Sequence, residues 1–132
     1  MADDSLQFQT RLFGTFLKEA QGHVAEISTL LDSLEKTPGQ ADTMRDLLRE
    51  VHSLKGAAGA VEQSQVEFLC RSLEQATIKV QRGERAADAI FFEVFRHGLQ
   101  LLESGLAEVS RGGTFTVSLH FLENVRKLTW AS

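Results

Sequence analysis

Val51-His52-Ser53-Leu54-Lys55-Gly56-Ala57-Ala58-Gly59 is the stretch on which the reading of this chain turns. Leu47, Leu48, Val51, Leu54 and Ala58 recur at helical spacing and form a candidate buried stripe. His52 falls beside that stripe rather than within it. Lys55 and Gly56 follow at i+3 and i+4, one turn on and next to the imidazole. A glycine inside a helix costs roughly 0.8–1.0 kcal/mol relative to alanine, so Gly56 calls for a reason. It leaves bare backbone beside the ring, where a bulky group can come close. Lys55 brings a compact positive charge suited to an anion such as a phosphoryl group.

The rest of the chain supplies a setting for this helix. Its 132 residues suit a single domain, and 42% apolar with 24% charged residues is ordinary globular composition. The net charge of −4 argues against a nucleic-acid partner, which calls for a basic face. Cys70 is the sole cysteine, so no intramolecular disulfide can form and a reducing compartment is expected. No apolar run reaches the roughly 18 residues of a membrane span, and the N-terminus lacks the basic and apolar regions of a signal peptide. The expectation is a soluble cytoplasmic protein with no membrane partner. Met1 reads as a natural start and Ser132 as a candidate boundary.

Helical periodicity dominates, and strand-like alternation is sustained nowhere. The pattern predicts an all-α fold: an up-down antiparallel four-helix bundle with a short fifth helix, all in one domain over 1–132. The expected helices are about 5–34, 41–59, 64–82, 87–111 and 116–130. In the first, Phe13, Phe16, Leu17, Ala20, Val24, Ile27, Leu31 and Leu34 face the core, and His23 faces solvent. Pro38-Gly39 turns the chain. Gly59 has two readings, a helix C-cap or a functional glycine. Ser64 and Glu67 fit a capping box for the third helix, with Cys70 as a core thiol and Gly83 ending the helix. Ile90, Phe91, Val94, Gly98, Leu101, Leu102 and Val109 point inward from the fourth, with His97 outward. Leu119, Phe121, Leu122 and Val125 pack the fifth, with His120 exposed.

His-Ser-Leu-Lys-Gly-Ala-Ala-Gly, from His52 to Gly59, resembles the H-x-x-K-G-x-x-G motif of histidine phosphotransfer (HPt) domains. The long first and fourth helices and the extra fifth segment are most similar to the N-terminal phosphotransfer domain of CheA-type chemotaxis kinases. The resemblance implies that His52 is the phosphoacceptor. It would accept its phosphoryl group from a histidine kinase ATP-binding domain and pass it to the aspartate of a CheY-like response-regulator receiver. It also points to Glu74 as the group that holds the ring proton. A histidine with an ordinary pKa near 6.5 is largely neutral at cytoplasmic pH, as a nucleophile must be. In the family a histidine stands three residues before that glutamate; here the position is Arg71. Arg71 cannot relay a proton, but it can pair with Glu74 or with a phosphoryl group.

The resemblance implies no cofactor bound by this domain: ATP and Mg would belong to the kinase domain, and Mg to the receiver. No nucleotide-binding Gly-rich loop or catalytic triad is visible, so the chain is not expected to be a catalyst alone. Paired Glu-x-x-His ligands for a bundle metal site are absent from the sequence. The competing reading is a helical adaptor that only docks partners. Arg45 and Arg49 share the face of His52. Counting along the second helix puts His52 about 15 Å from its start, at 1.5 Å per residue, and assigns Phe8 to Leu17 as its neighbours on the first helix. Phe8 and Leu12 lie off the core stripe. They are expected to contact the receiver, ringed by Arg45, Arg49 and Lys55.

Overall fold

A computed structural model describes residues 2–129, with side chains from Asp4 to Leu128. Met1, Ser132 and the expected end of the fifth helix at Trp130 lie outside those residues. Among them the chain forms α1 (Ala2–Lys36), α2 (Ala41–Ala60), α3 (Ser64–Gln81), α4 (Ala89–Ser110) and α5 (Leu119–Thr129), with no strand. The four long helices close into a ring, α1 on α2, α2 on α3, α3 on α4 and α4 back on α1. The short fifth helix lies against α3 and α4. The all-α bundle read from periodicity is the observed fold.

The core follows the stripes. Ile27, Leu31 and Leu34 of α1, Leu47, Val51, Leu54 and Ala58 of α2, and Val66, Leu69 and Cys70 of α3 are fully buried. Burial pushes the Cys70 thiol up to about 12, with the negative charge of Glu74 adding to the effect, so it is an inert core group. Across the ring, Arg96 of α4 bonds both Asp32 and Glu35 of α1, at 2.8 and 2.5 Å.

Several local expectations give way to tertiary packing. The N-cap of α3 is Gln63, whose side chain makes no cap bond, so the Ser64 box does not form; Glu67 bonds Arg71 instead. Gly59 is not a cap either. The helix runs on to Ala60, and Glu62 takes the left-handed step at φ 59°. The fourth helix starts at Ala89 rather than Ala87, because the Asp88 carboxylate accepts from the Phe91 N–H at 3.0 Å. Phe91, about 100° further round, takes the inward position that Ile90 was expected to share, and Ile90 is exposed. The fifth helix starts only at Leu119, where the Ser118 hydroxyl accepts from the Phe121 N–H. That register turns Phe121, Val125 and Leu128 inward and leaves Leu119 77% exposed.

Two histidines are also less free than expected. His23 is half-buried, with its Nδ1 3.1 Å from Glu50 Oε2. His97 is half-buried and meets Phe121 edge-on, ring centroids 5.4 Å apart.

The extended chain before α5 carries Phe115, which is buried against α4. A Cβ on Gly105 would lie 1.8 Å from the Phe115 ring, so the missing side chain makes the ring's seat. Gly105→Ala is therefore expected to destabilise the bundle by about 1–3 kcal/mol, despite alanine's better helix propensity. Urea unfolding would show this as a lower midpoint, whereas an unchanged or higher midpoint would mean that Phe115 is not seated there.

Candidate functional site

His52 and Glu74 meet because α2 and α3 run antiparallel with short reach between them. His52 stands on the outer shoulder of α2, and its side chain is 68% exposed. Glu74 points from α3 into the seam between the helices, with 11% of its side chain exposed. Its two oxygens have separate partners. Oε2 lies 2.5 Å from His52 Nδ1, and Oε1 accepts from Lys55 Nζ at 2.7 Å.

This arrangement decides the electrostatics. Burial raises the cost of charge on Glu74, but hydrogen bonds from Lys55 and then from His52 outweigh it. The carboxyl is held below its ordinary value of 4.5. An ionised carboxylate only accepts, so the neutral imidazole carries its proton on Nδ1. The other nitrogen, Nε2, is left with its lone pair on the solvent side, and no described residue bonds it. Lys55, expected beside the imidazole as a free charge, is instead committed to Glu74. It reaches any group on His52 only through that carboxylate or by leaving it.

The two glycines of the stretch differ. A Cβ on Gly56 would meet nothing within 4 Å, so the surface one turn beyond His52 is open. A Cβ on Gly59 would lie 2.3 Å from Glu67 Oε2, so that glycine admits a carboxylate from α3. Arg71, expected to pair with Glu74 or with a phosphoryl group, bonds Glu67 Oε1 at 3.0 Å, one turn back on its own helix, while the oxygens of Glu74 bond His52 and Lys55.

A groove of about 510 Å³ opens beside the imidazole, lined by Arg45, Leu48, Arg49, His52, Glu74 and Ile78. Leu48, read as core, is only half-buried, since it stands one turn before His52 on the same face and floors this groove. Ile78 was not singled out from the sequence; its spacing of four from Glu74 is the signal that could have found it. Arg45 and Arg49 pair with Asp42 and Asp46 on the exposed face, contacts worth about 0–1 kcal/mol and easily exchanged.

Phe8 and Leu12 are exposed as expected, Phe8 at 67%, but they are elsewhere. They line a notch with Ala60, Val61 and Glu62 at the far end of α2. The His23–Glu50 contact sets the α1–α2 register and puts His52 level with about Gln21. Phe8 and Leu12 are then roughly 14–20 Å further along the axis at 1.5 Å per residue. None of the residues expected to ring them, Arg45, Arg49 and Lys55, lines that notch.

Residues 11–110 match the Hpt domain family. The chain belongs to that family. It is similar to the chemotaxis protein CheA of Halobacterium salinarum, 26% identical over 98 residues. The CheA proteins of Bacillus subtilis and Borreliella burgdorferi are each 24% identical to it, over 98 and 96 residues. These alignments cover 74%, 74% and 73% of this chain but only 15%, 15% and 11% of the relatives' length. The resemblance seen in the His52–Gly59 motif is thus a family membership, and the chain is matched to a small part of much longer chemotaxis proteins. No helix among the described residues is long and apolar enough to cross a membrane.

Glu74 ties the site to pH. Its folded-state pKa is depressed, so its contribution to stability is present above the ordinary value of 4.5 and is lost as pH falls through the lowered folded value. Glu74→Gln is expected to flatten the acid limb of a stability–pH curve below about pH 5. An acid limb identical to that of the parent protein would show that Glu74 carries no native-state charge interaction.

Proposed function

We propose that this Hpt domain is the phosphotransfer module of a chemotaxis-type two-component pathway and that His52 is its phosphoacceptor. One observation carries the reading: an exposed imidazole whose Nδ1 is tied to Glu74 Oε2 at 2.5 Å and whose Nε2 is free. The Nε2 lone pair attacks the γ-phosphorus of ATP held, with Mg, by a kinase ATP-binding domain. An N–P bond forms, the P–O bond to ADP breaks, and ADP leaves with the electron pair. Glu74 keeps the Nδ1 proton in place and offsets the positive charge that develops on the ring.

Transfer onward reverses the chemistry. A receiver aspartate, in a Mg-containing site, attacks the phosphorus. A P–O bond forms, the N–P bond breaks, and its electron pair returns to Nε2. Phosphoryl transfer depends mainly on positioning and charge. The groove at Leu48 and Ile78, flanked by Arg45 and Arg49, therefore suits the receiver better than the distant Phe8–Leu12 notch: it adjoins the reacting nitrogen and presents cations to an acidic site. The domain acts in the cytoplasm, where ATP-dependent kinases and receivers meet.

Incubation with ATP and a chemotaxis kinase ATP-binding domain should give acid-labile label on His52 alone. His52→Gln should abolish it without loss of helical content, and label persisting at His23, His97 or His120 would overturn the assignment. Gly56→Ala separates approach from folding. The open space at Gly56 should let the variant fold with a gain of up to about 1 kcal/mol. The methyl group should slow transfer to the receiver several-fold, read by stopped-flow. A stabilised variant with undiminished transfer would remove Gly56 from the approach surface.

A further inference from the structure

Three α3 residues line up on the edge of the site: Glu67, Arg71 and Glu74, four and three residues apart and so on one face. The outer two carboxylates have different duties. Glu74 is engaged on one oxygen by His52 and on the other by Lys55. Glu67 rests with Oε2 over the bare backbone of Gly59 and offers Oε1 to Arg71. Arg71 is half-exposed, three residues or about 4.5 Å from Glu74 along α3. The antiparallel register set by His52–Glu74 and by Gly59–Glu67 puts Arg71 across from Lys55 and Gly56. Next to it is the open surface where Gly56 has no side chain.

We propose that Arg71 is a parked cation: it is held on Glu67 while His52 is unmodified and moves to the phosphoryl oxygens once His52 carries them. This rests on the assignment of His52 as phosphoacceptor. The geometry gives the guanidinium a reason to wait and a reason to leave. In the resting state its carboxylate partner is Glu67, while Glu74 is engaged by His52 and Lys55. Glu67 is a half-buried partner that meets the half-exposed Arg71 through a single contact, and it holds weakly. A phosphoryl group on Nε2 adds a more highly charged acceptor with a geometry that guanidinium matches in bidentate fashion. Lys55 does not compete for it while its ammonium stays on Glu74. Gly59 serves the resting state, because a side chain there would displace the Glu67 carboxylate.

The device makes the phosphorylated state more favourable without altering the nucleophile. Its signature is a pair of opposite effects from two variants that break the same ion pair. The measurement is the equilibrium between ATP and phospho-domain at fixed ADP/ATP ratio, with kinase domain in catalytic amount. Arg71→Ala should lower the equilibrium constant about three- to tenfold. Glu67→Gln, which frees Arg71, should raise it, and Arg71→Lys should restore part of the loss. A merely structural ion pair would move Arg71→Ala and Glu67→Gln in the same direction, or neither, and either result overturns the proposal. The parent protein is labelled first. Failure to phosphorylate His52 there would overturn the function itself, whereas normal labelling with an unchanged Arg71→Ala equilibrium removes only the parked cation.

Discussion

Everything particular to this molecule depends on the Glu74 carboxylate, lodged in the α2–α3 seam between an imidazole and an ammonium. A buried carboxylate without partners would be costly, and here both oxygens are satisfied by groups from the facing helix. The ring orientation, the side of the imidazole that faces solvent and the confinement of Lys55 all follow from that placement. The bundle is the means of holding the seam: Val51 and Leu54 on one side and Leu73 on the other are buried next to the site residues.

The seam also explains the uneven use of glycine. Gly56 and Gly59 belong to the same short stretch, yet one borders empty space and the other borders a carboxylate. Gly105, on the opposite side of the molecule, receives an aromatic ring. A glycine in a helix is thus a statement about what lies outside the helix. The surface around His52 combines rigid packing below with loosely held ion pairs above. That combination suits the phosphoacceptor role proposed for His52.

Much of the site was legible because it lies on one helix. His52, Lys55 and Gly56 are neighbours by spacing alone, and the apolar stripe beneath them says which way they face. Glu74 was reachable through the family resemblance, since its spacing on α3 carries no mark of what stands opposite. The mistaken neighbourhood of Phe8 and Leu12 has the same origin. Position along α1 relative to α2 depends on the inter-helix register, which the His23–Glu50 contact reveals and local periodicity does not. Leu48 was misread for a related reason, because an apolar residue on the stripe's edge is core or groove floor depending on the neighbouring helix.

The sequence by itself determined the class and singled out a candidate: apolar period gives helices, the number and length of stripes give a bundle, and one histidine is set apart by its lysine and glycine. These are properties of single helices, where residues three and four apart must be neighbours. Only the tertiary structure decided the partners: Lys55 on Glu74, Arg71 on Glu67, Gly59 under a carboxylate, and a groove rather than a core at Leu48. Those outcomes depend on how two helices are shifted and turned against each other. That choice is made by the packing of the whole core and is written in no short stretch of the chain.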